Sequence, residues 1–489
     1  MRRSRSRTGL PTCGNSRTTG ENDAALARPA PSYSIPVTGE RTESIASEAR
    51  PRARADWALI VALDSQVLSA APESFSLADV TSVSIGRAAR REFARTNARG
   101  RLDLADRRIS QNHARLVRHG DRWSIEDDGS RNGTRVNGER VVRETLNDGD
   151  VLELGGTFLV LRQARGAPLG SEPLAQRPDA LRTLSPALAH EFEVLPKVAR
   201  SPVPILILGE SGTGKEGTAS VIHALSGREG PLLAVNCGAI PATLIESELF
   251  GSRRGAFSGA EDRVGLIRSA DRGTLFLDEV AELPLSSQAS LLRVLQEREI
   301  LPLGTTRPIA VDVRVVAATN RPIEDLVEEG KLRRDLYARL RGYELRLPVL
   351  RDRREDLGLL IAALIAKHDR SGTPRKLSRV AAWAMFAYEW PLNIRELEQC
   401  LSAALAVAGP EIGVEHLPPA VREAAVAPRL GVAAERDRLL AVILRNGGNL
   451  SAVARELSTS RSQLYRLLAR HSIEPSEMTA TPPTTPRPT

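Results

Sequence analysis

The chain has 489 residues, a formal net charge of +8, 41 % hydrophobic residues and only 3 % aromatics. That apolar share excludes a wholly unfolded polymer, and the length allows about three domains at roughly 150 residues each, with cores built from Leu, Val, Ile and Ala. Cys13, Cys237 and Cys400 are far apart and odd in number, which excludes a disulfide scaffold and fits a reducing cytoplasm. The longest apolar stretch, Leu357 to Ala366, is too short to span a bilayer. The basic start, Met1 to Arg7, is not followed by the apolar run of a secretory signal. The expectation is a soluble cytoplasmic protein with no membrane partner. The positive charge is compatible with nucleic acid, but arginine is spread along the whole chain, so charge alone decides nothing.

Residues 1–54 are rich in Arg, Ser, Thr and Pro and predict a disordered tail. Over 55–165, short alternating runs such as WALIVAL, TSVSIGR, HARLVRH and DVLELGGTFLVLR are separated by the turn signals HGDR, DDGSRNG, VNGE and NDGD, which is all-β spacing. Residues 166–178 read as a linker. From 179 to 350, wholly apolar strands (PILILG, LLAVN, TLFLDE, VRVVAATN) alternate with helical stretches and predict a parallel sheet covered on both faces. Residues 351–426 look all-helical, 430–475 form a small helical unit, and 476–489 are a Pro/Thr-rich tail.

The strand ILILG runs into GESGTGKE, so Gly209, Glu210, Ser211, Gly212, Thr213, Gly214, Lys215 and Glu216 form a phosphate-binding loop ahead of a helix. Its glycines let backbone N–H groups close around phosphates, and Lys215 supplies a point charge to the β/γ oxygens. Glu216 stands where the general pattern has a hydroxyl for magnesium, so the metal must be held by other groups and water. GTLFLDEV ends an apolar strand in two adjacent carboxylates. Asp278 is suited to hold Mg2+ through water, and Glu279 to polarise the attacking water of ATP hydrolysis.

Between and after these motifs stand ESELFGSRRGAFSGA, VVAATNRPI, KLRRDLYARL, LPVLRDRREDL and WPLNIRELEQ. In this order they resemble the sigma-54-dependent transcriptional activators, a branch of the AAA+ ATPases, over roughly residues 180–420. The resemblance implies a hexameric ring with ATP at subunit interfaces. It assigns Thr319 and Asn320 to γ-phosphate sensing and Arg333 and Arg339 to arginine fingers in a neighbour's site. Arg395, in the helical lid, is to contact nucleotide, and Asn236 is to hold Glu279 in an unproductive pose. The loop Gly255, Ala256, Phe257, Ser258, Gly259 and Ala260 is to touch the sigma-54 subunit of RNA polymerase. An exposed Phe among small residues suits such a mobile tip. Ser258 replaces the family's usual Thr, Leu332 a usual Phe and Leu392 a usual Gly.

In the last unit, Leu464, Leu467 and Leu468 share one helix face, leaving Arg461, Ser462, Gln463, Tyr465, Arg466 and Arg470 for DNA; Asn449 or Ser451 caps the preceding helix. The segment resembles the Fis-type helix-turn-helix and implies enhancer DNA as a partner. In the front domain SIGR, ISQNHARL, SRNGTRVNG and LNDGDVLELG resemble the forkhead-associated (FHA) β-sandwich. Arg87, Ser110 and Asn132 fall at its phosphothreonine positions, while Gly86, His113 and Gly133 fall at positions supporting the loops. The implied partner is a phosphothreonine protein or a Ser/Thr kinase. Arg90, Arg91, Arg95, Arg99 and Arg101 crowd the stretch between Arg87 and Ser110, and Arg131 precedes Asn132 where Thr or Ser is common. Two other readings stand beside the activator: an AAA+ machine with a different client, and a non-enzymatic phosphopeptide scaffold.

Overall fold

The computed structural model describes residues 56–164, 174–256, 261–426, 432–457 and 464, 465, 468 and 473. The tails expected at the two ends lie outside the described residues. Among the described residues no helix is long and apolar enough to cross a membrane.

The first twelve strands make a sandwich. They are β1 (Asp56–Asp64), β2 (Glu73–Ser76), β3 (Ser82–Arg87), β4 (Glu92–Thr96), β5 (Arg99–Leu104), β6 (Ala114–His119), β7 (Arg122–Asp127), β8 (Thr134–Val136), β9 (Glu139–Val141), β10 (Arg143–Leu146), β11 (Val151–Leu154) and β12 (Thr157–Ala164). One sheet runs β2-β1-β12-β11-β8-β9 and the other β10-β7-β6-β3-β5-β4. Asn137 and Gly138, both at positive φ, close the two-residue turn between β8 and β9, as the Asn-Gly pair predicts.

Strand β1 is buried on both faces. Trp57, Leu59 and Val61 point into the sandwich with Trp123 and Ile125. Ala58, Ile60 and Ala62 point outward, yet they too are buried, in apolar clusters shared with Leu184 and with the helices described next.

A five-stranded parallel sheet follows, built from β13 (Ile205–Leu208), β14 (Leu232–Asn236), β17 (Thr274–Asp278), β20 (Arg314–Thr319) and β21 (Tyr343–Arg346) in the order β14-β17-β20-β13-β21. Its faces are covered by helices including α1 (Pro186–Ala199), α2 (Lys215–Ser226), α3 (Ile245–Phe250), α4 (Leu266–Ser269), α5 (Leu285–Glu297), α6 (Ile323–Glu328) and α7 (Arg334–Leu340). Two short hairpins, β15 (Gly251–Ser252) with β16 (Arg263–Val264) and β18 (Glu299–Ile300) with β19 (Ile309–Ala310), project from it. Beyond the sheet come α8 (Leu357–His368), β22 (Lys376–Leu377), α9 (Arg379–Ala387), α10 (Asn393–Val407), β23 (Glu411–Ile412) and α11 (Pro419–Ala424), and then α12 (Val432–Arg445) and α13 (Leu450–Glu456).

The sandwich and the helical region 351–426 share one interior. Phe158 stacks on Phe386 with ring centroids 5.1 Å apart and planes 6° from parallel. Val151, Val160 and Leu63 join the same cluster as Trp383, Met385 and Leu397. Backbones also meet: the Leu377 N–H donates to the Ser65 carbonyl at 2.8 Å. A Cβ on Gly358 would stand 1.8 Å from the Ala62 carbonyl oxygen, so only glycine lets α8 approach β1 this closely. At the edge, Arg379 donates to the buried Glu153 at 2.7 Å.

Candidate nucleotide and phosphopeptide sites

In a parallel sheet the C-terminal strand ends open onto a common crevice. Here β13, β17, β20 and β14 deliver the phosphate loop, Asp278–Glu279, Thr319–Asn320 and Asn236 to that edge. Gly212 and Gly214 have φ of +77° and +105°. A Cβ on Gly212 would lie 2.2 Å from the Leu392 carbonyl oxygen, so the turn needs glycine for space as well as conformation. Lys215 opens α2 and is 6 % exposed. Its Nζ donates to the Gly209 carbonyl at 3.1 Å and lies 3.5 Å from Glu279 Oε1. Thr213 donates to the Glu210 carbonyl and Thr218 to the Gly214 carbonyl, which shapes the loop, while Glu216 is exposed.

Glu279 sits in the left-handed region at φ 53°, an uncommon conformation for a residue with a Cβ. Its N–H donates to Asp278 Oδ1 at 3.1 Å, and its Oε2 accepts from the Asn320 N–H at 3.1 Å. One carboxylate thus bridges the phosphate-loop lysine and the end of β20. Thr319 is buried and its Oγ1 accepts from the Arg321 N–H. Asn236 lies beside Asp278 in register, but its Oδ1 accepts from the N–H groups of Gly238 and Ala239. In this conformation Glu279 contacts Lys215 and the Asn320 N–H, while Asn236 is engaged with Gly238 and Ala239. Burial, followed by the nearby Asp278 and Glu279 charges, pushes the Cys237 thiol up to about 12, which excludes it as a nucleophile near neutrality.

The helical region closes over the loop. Arg395 Nη1 donates to Ser211 Oγ at 2.9 Å, and the Ile394 N–H donates to the Gly212 carbonyl at 2.9 Å. Asn393, fully buried at φ 55°, donates Nδ2 to the Ser211 carbonyl and accepts the Leu350 N–H on Oδ1. Arg353, 6 % exposed, donates to the Thr213 carbonyl at 2.8 Å. Sequence reading missed both residues, although each lies within a quoted motif. Leu392 sits at φ −103°, where leucine carries no backbone penalty, and Leu332 is buried in the sheet's core.

Arg333 pairs with Asp335 through two contacts, 3.0 and 2.7 Å, and Arg339 donates to the Leu295 carbonyl at 3.4 and 3.3 Å. Both are exposed, with partners on α7 and α5 rather than on the phosphate loop of the same chain. Gly255, at φ +85°, and Ala256 stand on the tip side of the β15–β16 hairpin, whose base is tied by Ser252 Oγ to the Glu261 carbonyl and by the Arg254 N–H to Asp262. Phe257, Ser258, Gly259 and Ala260 lie outside the described residues.

At one end of the sandwich two side chains converge on the loop 107–110, which itself carries Ser110. Arg87 Nη1 reaches the Arg107 carbonyl at 3.4 Å, Asn132 Nδ2 donates to the Arg108 carbonyl at 2.6 Å, and Ser110 Oγ accepts from the Arg131 N–H at 3.1 Å. Such a cation with hydroxyl and amide groups suits a dianionic phosphate. Gly86 lets the strand pass: a Cβ there would lie 2.0 Å from the Gln111 carbonyl oxygen. Of the extra arginines, Arg91 is held by the Ala71 carbonyl, Arg95 by Asp79 and the Asn97 carbonyl, and Arg101 by Asp103 and the Gln111 carbonyl.

His113 supports the loop. Nδ1 accepts from the Ser110 N–H at 3.1 Å, and Nε2 faces the Gly133 carbonyl at 3.3 Å, so the ring is neutral with its proton on Nε2. Burial holds it below the usual imidazole value of 6.5. The unfolded chain therefore takes up this proton at a higher pH than the folded domain. The resulting stability is complete above 6.5 and declines as pH falls toward the lowered value. Thermal unfolding of the full chain should lose stability as pH falls below 6.5, and His113→Gln should flatten part of that slope.

In the last unit Asn449 Oδ1 accepts from the N–H groups of Ser451 and Ala452 and caps α13. Leu439, Val442, Ile443, Val453, Leu464 and Leu468 form its core, and Tyr465 is 53 % exposed. Arg461, Ser462, Gln463, Arg466 and Arg470 lie outside the described residues.

Four family models match along the chain. The Sigma-54 interaction domain matches residues 181–346, the FHA domain 83–155, the AAA+ ATPase lid domain 351–430 and the Bacterial regulatory protein, Fis family, 433–471. The chain is 41 % identical over 321 residues to the Regulatory protein AtoC of Escherichia coli, covering 60 % of this chain and 68 % of AtoC. It is 39 % identical over 420 residues to the Acetoin catabolism regulatory protein of Cupriavidus necator, covering 76 % of this chain and 62 % of that protein. The crystal structure of NtrX from Brucella abortus in complex with ADP superposes with a TM-score of 0.46 at 31 % identity, over 59 % of this chain and 69 % of NtrX. With its motifs in order, a phosphate loop closed by its own lid, and the matches to these family models and to AtoC, the chain belongs to the sigma-54-dependent transcriptional regulators, with an AAA+ ATPase domain between an FHA sandwich and a Fis-type helix-turn-helix.

Proposed function

We propose that the protein hydrolyses ATP between neighbouring copies in a hexameric ring and uses the resulting motion to remodel sigma-54 RNA polymerase at promoters. The observation that carries this reading is the convergence of Lys215, Glu279 and Arg395 on one phosphate loop. The loop N–H groups and Lys215 hold the phosphates, and Arg395 fixes the lid on the bound nucleotide. Glu279 takes up the proton as water attacks the γ-phosphorus. Arg333 and Arg339, exposed on one edge, enter the next copy's site and neutralise charge developing on the transferred group, an effect worth about 10³–10⁵ in rate. Thr319 and Asn320 report the γ-phosphate to Glu279.

The Asp278 carboxylate, oriented by the Glu279 N–H, is a hard oxygen donor of the kind that suits hydrated magnesium. Bound there with the nucleotide, such an ion would supply charge neutralisation to the phosphates.

The hairpin β15–β16 carries Gly255–Ala260 as the lever that meets sigma-54, and the segment 461–470 reads enhancer DNA in the cytoplasm. The sandwich binds a phosphothreonine made by a Ser/Thr kinase through Arg87, Ser110 and Asn132, and this signal sets ring activity. Open-complex formation on a sigma-54 promoter, with wild type, Glu279→Gln and Phe257→Ala compared, tests the reading. Activity in wild type alone is expected. ATP turnover without any open complex would point instead to a different client.

A further inference from the structure

Between β21 and α8 the chain makes a tight turn, Asp352 to Asp356, that carries five consecutive charged side chains. The last four are buried, with Glu355 at 0 % and Asp356 at 1 % exposure. Each end of this knot is tied to a different part of the molecule. Asp356 accepts the Thr183 hydroxyl at 2.7 Å and the Leu184 N–H at 2.6 Å. Arg353 lies 4.0 Å from Asp356 and donates to the Thr213 carbonyl inside the phosphate loop. Glu355 receives its cation from the sandwich: Arg162, on β12, donates Nε at 2.8 Å and Nη2 at 2.6 Å to Glu355 Oε2, and Nη2 also to the Asp352 carbonyl at 2.6 Å.

We infer that Arg162 is a positioning residue for the nucleotide site, acting through Glu355 and the 352–356 turn on the phosphate loop. A carboxylate taken fully out of water needs a cation or must be protonated or displaced. Arg162 is the cation that donates to it directly. Without Arg162, Glu355 turns outward, and the turn turns with it. Arg353, two residues earlier on that turn, then loses its register with Thr213. Residues 210–215 must keep their N–H groups aimed at phosphate, so a displaced Thr213 carbonyl is felt as weakened nucleotide binding. Arg162 belongs to the sandwich and not to the ATPase motifs, so this device ties the phosphopeptide domain to the phosphate loop through one side chain. The inference rests on the ATPase activity proposed above.

The test uses the full-length protein and steady-state ATP turnover. Arg162→Met leaves Glu355 without its cation and should raise KM for ATP about tenfold, with a smaller change in kcat. Adding Glu355→Met removes the stranded carboxylate at similar volume, a change buried pairs tolerate, and should bring KM back to within about twofold of wild type. Arg162→Lys keeps the charge but not the two-pronged contact and should raise KM about threefold. A KM within twofold of wild type in folded Arg162→Met, or one that stays tenfold raised in the folded double variant, overturns the inference. If Arg162→Met does not fold, an unchanged KM in Arg162→Lys overturns it. Absence of turnover in wild type would strike the ATPase reading itself, which separates the two failures.

Discussion

Glu279→Gln should cut ATP turnover by about 10²–10⁴-fold while leaving nucleotide affinity within a few-fold of wild type. The amide keeps the shape of the carboxylate and an oxygen for the Asn320 N–H, so the end of β20 stays in place. It cannot take up a proton from water, and that is the step lost. Lys215 retains its contacts with the Gly209 and Glu210 carbonyls, so the phosphate loop stays formed. Phosphate release measured beside binding of a fluorescent ATP analogue separates the two effects. Turnover within tenfold of wild type would show that another group acts as the base.

Phe158→Ala is expected to destabilise the protein by about 3–5 kcal/mol, the range for removing a buried aromatic side chain. Phe158 is 0 % exposed and stacks on Phe386, which is also 0 % exposed. The cavity would open where two domains meet, in a cluster that also holds Trp383 and Trp390. The sandwich and the lid should therefore lose stability together. Urea unfolding followed by tryptophan fluorescence should shift as one transition. A loss under about 1 kcal/mol, or a lid transition that does not move, would show that the two bodies are independent.

The motifs of the ATPase were legible because phosphate chemistry demands particular residues at fixed spacings. Gly212, Lys215 and Glu279, read from that spacing, lie around one loop, and Arg395, named only by the resemblance, reaches Ser211 of the same loop. The shared interior of sandwich and lid was only half legible. WALIVAL is apolar at every position, the mark of a strand covered on both faces. Nothing local says that the second cover lies some 300 residues onward, at Trp383 and Phe386. Asn393 and Arg353 were missed for a related reason. Their work is to hold backbone carbonyls of a distant loop, and carbonyls leave no trace in side-chain patterns. Asn236 shows a different limit: a resemblance names a partner, whereas one conformation shows only which contact is made at that moment.

The left-handed backbone at Glu279 sets stability and chemistry against each other at one position. Glycine there would relieve about 1 kcal/mol of conformational cost and would remove the carboxylate proposed to act as the base. A screen of variants for heat resistance alone, blind to turnover, would thus favour an inert protein.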